Sequence, residues 1–489
     1  MRLALLALLL VGAAPQDPPA RPNVVVIMAD DFDVRLLETA LTMNLMPHLK
    51  RVFVDEGLRF SNCFATNAVC APSRATFLTG QYSRHHGVRH NGLGLAALDG
   101  SNTLPVWLRE AGVRTGHVGK YLNGYGYQVP PESVPPGWDD WQGLVDLSTY
   151  RVYDYWINDN KTLVHYDERP ENYQTDVLSR RAVDFIQESA GGPFFLSLNP
   201  LPPHVEIDGT EEISWKGAFS WTVRPAPRHA GSTDALALPR VPSFNELDVR
   251  DKPAWLRLKP LLDAPMLQGL TAQYRDRAAS LRAVDDMIGA VVAALQKAGV
   301  YDRTALFFTA DNGFHHGEHR LVEKLYAFEE SIRVPLLARL PGMSAPRVVR
   351  EMVLNTDLAP TICALTGATP RRRVDGRSLV PLLTGSPAAW RRRGLVEHYM
   401  SSPTPGQLEV PTYSALRTAD DAPSLPGRLY AEYRQGEWGT KEHYDLNVDP
   451  FQLLSLHGAP ARDAERDALA LSLYLLRTAA PGDAARFEN

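Results

Sequence analysis

Three apolar runs rich in β-branched and aromatic residues, Asn23–Ala29 (NVVVIMA), 193–198 (PFFLSL) and 304–309 (TALFFT), carry no polar alternation. A strand that reads this way is buried on both faces, as happens where helices cover both sides of a parallel sheet. Helical patterns fall between these runs, at 46–56, 103–111, 175–189 and 266–298, the last stopped by Gly299. The alternation predicts an α/β fold: a mostly parallel sheet flanked by helices. In such sheets functional groups gather beyond the carboxyl ends of the strands. Asp30-Asp31, His204 and Asp311-Asn312 each follow one of these three runs, although far apart in the chain. A shorter strand at 114–118 leads likewise into Gly119-Lys120.

After about Gly385 the pattern changes. Strand-like runs at 394–398, 413–418 and 429–433 precede a helical pattern at 464–476. They predict a smaller α+β antiparallel subdomain over 386–489, beside the α/β domain over 21–385. A chain of 489 residues is long enough for two domains. Residues 206–265 are rich in Pro and Trp with weak periodicity, and read as a long insertion near the site entrance. Residues 1–20 read as a signal peptide: Arg2, an apolar run at 3–11, then Gly12-Ala13-Ala14. That run is too short to span a bilayer. The product is expected to be secreted or periplasmic, with no stable membrane anchor. A net charge of −5 gives no electrostatic footprint for nucleic acid. Three cysteines cannot build a disulfide framework. A Cys63–Cys363 bridge stays open, with two free buried thiols as the simpler reading.

Cys70-Ala71-Pro72-Ser73-Arg74 opens another helix-like stretch. Pro72 suits a first turn, where its missing N–H costs nothing. Cys70 then sits at a helix N-terminus, whose free N–H groups and macrodipole favour an anion. Arg74, four residues on, shares its face. A sulfur nucleophile beside a helix N-terminus and an arginine can handle a tetrahedral oxyanion. A buried structural cysteine accounts for these five residues equally well. Asp30, Asp31, Asp311 and Asn312 bring four hard oxygen donors to strand ends, a set suited to Ca²⁺ or Mg²⁺ rather than Zn²⁺. Either pair alone would also serve as a helix cap.

The CAPSR run followed by Leu78-Thr79-Gly80 resembles the signature of the type I, formylglycine-dependent sulfatases. IMADDFDV, GKYLNGYG and DNGFHHGEHRLVEKLYAFEES resemble the branch containing N-acetylglucosamine-6-sulfatases and extracellular heparan sulfatases. The resemblance runs from about Asn23 to about Leu456. It implies an alkaline-phosphatase-like fold and an exported sulfatase acting on a sulfated carbohydrate, such as 6-O-sulfated N-acetylglucosamine or a glycosaminoglycan. It implies that Cys70 is oxidised to formylglycine by a formylglycine-generating enzyme, and that the hydrated aldehyde is the nucleophile. Asp30, Asp31, Asp311 and Asn312 would hold one calcium ion, with the modified Cys70 completing the shell. Arg74 and Lys120 would contact the diol. His204, Lys324 and Lys120 would bind sulfate and protonate the leaving group.

One departure stands out. Many sulfatases carry a histidine two residues after the lysine of the GK motif, and here that residue is Leu122. The glucosamine-sulfatase branch tolerates this, but the base that releases sulfate is left unassigned. His90, His117, His315, His316 and His319 are also unassigned, and most of them are expected at helix caps or the surface. Trp215, Trp221, Trp255, Tyr125 and Tyr127 offer aromatic faces for a sugar, or simply pack. Two other readings remain: a phosphomonoesterase or phosphonate hydrolase of the same superfamily, and an inactive protein that binds sulfated glycans.

Overall fold

The computed structural model describes residues 21–207, 223–343, 345–385, 389–401, 410–434 and 440–489. The expected signal peptide, Trp215 and Trp221 lie outside them. Five strands form the centre of a ten-stranded sheet: β1 (Asn23–Ala29), β2 (Arg114–Gly119), β3 (Asp140–Leu144), β4 (Phe194–Asn199) and β5 (Thr304–Ala310). They pair in parallel, in the spatial order β5-β1-β4-β2-β3. Every residue of β1, β4 and β5 is buried. Each Val, Leu or Phe so placed contributes about 1.5–3 kcal/mol relative to leaving it in water. Antiparallel strands extend both sides, with Leu336–Arg339 beyond β5 and the Tyr155–Asp159/Thr162–Tyr166 hairpin beyond β3.

Helices α1 (Cys70–Thr79), α2 (Gln174–Ser189) and α3 (Ala264–Lys297) matter most for the site. Asp263 caps α3 by accepting from Met266 N at 3.0 Å, and α2 packs on α3. All ten residues of α1 are buried, so its first turn is held rigidly under the strand ends. The expected helix at 46–56 differs: a single turn at Pro47–Leu49 runs into a wider π-helical stretch, Lys50–Asp55.

A separate four-stranded antiparallel sheet follows, Arg393–His398, Tyr413–Thr418, Arg428–Tyr433 and Lys441–Asp445, in sequential order. Helix Asp463–Thr478 covers it with Leu469, Leu473 and Leu476. The same core takes in Trp255, Tyr326 and Phe328. Tyr413 Oη donates to Leu325 O at 2.9 Å, and Arg417 Nε donates to Glu329 Oε1 at 2.9 Å. The small sheet therefore braces the segment that carries Lys324.

The histidine expectation is corrected, and two alternatives left open, for the aromatic residues and for the cysteines, are resolved. His117, His315, His316 and His319 are buried, not at caps or on the surface. Each finds partners that make burial tolerable. His117 stacks on Trp141 at 4.5 Å, His319 lies on Phe328 and meets Glu246 Oε2 at 2.6 Å, and His316 meets Asp33 Oδ2 at 2.9 Å. His315 Nδ1 lies 3.1 Å from Ser331 Oγ. Trp255 stacks on Tyr326 at 5.5 Å, and the Tyr125 hydroxyl is engaged by Trp141 and Asn158 at 2.7 Å each. Neither ring is open to a sugar; of the described aromatic candidates, Tyr127 is the exposed one. Cys63, Cys70 and Cys363 are all buried and free.

Candidate active site

The site is built where β1, β2, β4 and β5 end. Asp30 and Asp31 follow β1, Lys120 follows β2, Asp311 and Asn312 follow β5, and His204 lies in the turn after β4. Asp31 takes a left-handed backbone (φ 58°), which turns its N–H toward Asp311 Oδ1 at 3.1 Å. Lys324 enters from the far side, after the short Val322–Glu323 strand. Cys70 is the first residue of α1, as Pro72 at the third helical position implies.

Cys70 Sγ lies 3.0 Å from Lys324 Nζ and 3.6 Å from Asp30 Oδ1. Lys120 Nζ donates to Asp30 Oδ2, and Lys324 Nζ donates to Asp31 Oδ1. Arg74 Nε donates to Asp311 Oδ2 at 2.9 Å, while its Nη1 donates to Lys120 O at 3.0 Å. His204 Nδ1 faces Val205 O at 2.6 Å; as the donor there, it leaves Nε2 turned into the site, 3.5 Å from Asp31 Oδ2. All nine residues expected at the site are thus brought together, and all are buried.

Among the described residues, ligand atoms of Asp30, Asp31, Cys70 and His204 lie within 4.8 Å of one another, a buried group that could hold a metal ion. Asn312 Nδ2 donates to Asp31 Oδ1 at 2.8 Å, but its own Oδ1 is buried without a partner. A buried carbonyl oxygen left unpaired beside three carboxylates fits an oxygen-coordinated cation. The residues present therefore fit a hard divalent ion.

The charges tune one another. Burial raises the pKa of Asp30, but Lys120, His204, Arg74 and Lys324 outweigh it and hold the group well below the usual range. Asp31 is lowered in the same way, with Lys324 the strongest opponent of burial. Asp311 goes the other way: burial and the Asp30 charge push it up to about 6. Burial also pushes the Cys70 thiol up to about 11, against the pull of Lys120 and Lys324. The unmodified side chain is thus a thiol at neutral pH. Burial brings His204 down to about 4, despite Asp31 and Asp30.

Two contacts lie outside the sequence expectation. Arg277, fully buried on α3, donates to Asp31 O with its guanidinium over the Phe314 ring at 3.9 Å. Tyr150 packs its ring against Lys120 and His204. Arg277 sits on a helix face and Tyr150 in a loop, and neither position carries a spacing signal.

The Sulfatase family model matches residues 22–368, and the model described as N-sulphoglucosamine sulphohydrolase, C-terminal, matches residues 317–478. An arylsulfatase of Volvox carteri is 32% identical, over 96% of this chain and 77% of its own. The human N-acetylglucosamine-6-sulfatase is 32% identical, over 89% of this chain and 81% of its own. A protein solved in complex with its substrate D-glucosamine-2-N,6-O-disulfate superposes with a TM-score of 0.75. It shares 24% identity and covers 93% of this chain and 97% of that one.

Proposed function

The chain belongs to the sulfatase family, and on that premise we propose that it is an exported enzyme that removes an O-sulfate from a sugar, through a formylglycine at position 70 and one calcium ion. The observation that carries this reading is the placement of Cys70. It opens a buried helix, 3.0 Å from Lys324 Nζ, beside two carboxylates and within reach of further fixed cations. A plain thiol held up near 11 is a poor nucleophile at neutral pH, and the resemblance supplies a better one. Cys70 Sγ marks where the diol carbon's oxygens would stand.

Asp30, Asp31, Asp311 and Asn312, with the modified residue 70, would hold the ion. Bound there, it would polarise the sulfate and make the diol more acidic. The residues of the chain do the rest. Arg74 and Lys120 orient the diol, and Lys120, Lys324 and the end of α1 bind sulfate oxygens. As the S–O bond to the sugar breaks, charge develops on the departing oxygen, which faces Lys324 and His204. His204, down at about 4 with no substrate beside it, supplies a proton there once the charge of the bound sulfate ester has raised it. Leu122 is buried in the core and cannot serve as the base that releases sulfate.

A 6-O-sulfated N-acetylglucosamine unit is the proposed substrate, supported by the relative of that activity and by the motifs shared with its branch. The deciding experiment measures sulfate and phosphate release from matched sugar esters by protein matured in the presence of a formylglycine-generating enzyme. Sulfate release preferring the 6-O-ester is expected, together with an aldehyde or diol at residue 70 in the tryptic peptide 60–74, where Cys63 is an unmodified control. Cys70→Ala should be inactive yet folded. Full activity with two intact thiols in that peptide removes the mechanism. Preference for 2-O- or 4-O-sulfates removes only the substrate.

A further inference from the structure

Tyr150 sits where the chain departs from the expected motif. The side chain of Leu122, in the histidine's place, is buried in the main core. The next residue, Asn123, turns the other way, and its Nδ2 donates to Tyr150 Oη at 2.6 Å. Tyr150 lies on the short turn Ser148–Tyr150, tied down by Thr149 N to Val145 O at 3.1 Å and Ile207 N to Tyr150 O at 3.2 Å. Lys120 Nζ stands 4.6 Å from the centre of its ring, and the His204 ring lies 4.9 Å away. Among the described residues no other aromatic ring meets either side chain.

A lysine has four rotatable bonds, and a cation over an aromatic face loses much of that freedom. His204 is anchored at Nδ1 by one backbone oxygen, which fixes a point but not the tilt of the ring. Tyr150 supplies the second support for both. We propose that Tyr150 is a positioning residue: its ring aims Lys120 and His204 at the sulfate ester, and Asn123 locks that ring in place. The inference rests on the reading of His204 as the acid for the leaving oxygen.

The test is sulfate release by the matured, calcium-loaded protein and by Tyr150→Phe and Tyr150→Leu, with thermal unfolding of each. Two substrates are compared: 6-O-sulfated N-acetylglucosamine and 4-nitrophenyl sulfate. A nitrophenolate leaves without a proton, whereas a sugar alkoxide needs one. Tyr150→Leu is expected to lower kcat on the sugar sulfate by about tenfold or more beyond its loss on the aryl sulfate, with KM within about threefold. Tyr150→Phe, which keeps the ring but not the Asn123 anchor, is expected to show a smaller loss of the same selectivity. Equal losses on both substrates overturn the inference, since a merely structural role would not discriminate leaving groups. If the Leu variant does not fold, the Phe variant decides, and wild-type rates on both substrates overturn it. No sulfate release from either substrate by the wild-type protein overturns the functional reading and this inference with it.

Discussion

Asp311 differs from its two neighbouring carboxylates, and the difference can be measured. Its Oδ1 accepts from Asp31 N at 3.1 Å and Asn312 N at 2.9 Å, and its Oδ2 from Arg74 Nε at 2.9 Å. Even so, burial and the Asp30 charge lift it from 3.8 to about 6. A raised carboxyl pKa means that the fold holds this proton more tightly than the unfolded chain does. The metal-free fold is therefore favoured as pH falls toward the lower value, and loses that contribution as pH rises through about 6. A cation needs the ionised group, so below about 6 it must displace the proton, at a cost of about 1.4 kcal/mol per pH unit. The rise in unfolding temperature produced by saturating calcium should be full at about pH 7.5 and shrink below about pH 6. A calcium shift that stays constant down to about pH 5 would remove Asp311 from the ligand set.

The strand ends show how an element delivers a residue. β2 closes on Gly119 with φ 105°, a backbone that side chains rarely adopt, and a Cβ there would stand 2.2 Å from Asn199 O of β4. That same carbonyl accepts from Lys120 N at 3.0 Å, so the neighbouring strand fixes where Lys120 leaves the sheet. Gly119→Ala should cost about 1–3 kcal/mol in backbone strain and push the lysine aside. Displacement on the ångström scale is worth about 10²-fold in rate, so kcat should fall by that order while the protein still folds. Wild-type kcat in a folded Gly119→Ala protein would mean that Lys120 is not held by this turn. The central strands were legible because burial on both faces leaves a run such as NVVVIMA with no other reading. The strands toward one side of the sheet were not: DWQGL, YWIND and TLVHY mix polar and apolar residues without a clean period, and pairing with neighbours decides them. The site follows the same division. Ligands at strand ends and the Cys70 turn show in the sequence, whereas Tyr150 and Arg277 reach the site only through tertiary packing.

At the scale of the molecule, the large and small sheets are joined by a buried ion cluster remote from the chemistry. Arg391, fully buried just before the small sheet, donates from Nη2 to Asp357 Oδ1 at 2.9 Å and from Nε to Glu488 Oε2 at 2.8 Å. Asp357 in turn accepts from Leu354 N and Arg377 N at 2.8 Å each, at the start of helix Leu358–Thr366. Glu488 accepts from the Tyr82 hydroxyl at 3.1 Å, three residues past the end of the helix that begins at Cys70. Arg391 thus links two carboxylates drawn from separate parts of the chain, and Arg377 Nη2 adds a second cation 3.0 Å from Glu488 Oε2. Arg391→Met would leave Asp357 buried without its cation and Glu488 with Arg377 alone, and breaking such a buried pair typically costs about 3–5 kcal/mol. The unfolding temperature should drop by several degrees, and kcat and KM measured well below it should not change. Combining Arg391→Met with Asp357→Asn and Glu488→Gln should recover much of the loss, because the penalty comes from unpaired charge rather than from a missing attraction. Reduced turnover by Arg391→Met at an unchanged unfolding temperature would instead mean that the cluster acts on the Cys70 helix through Tyr82.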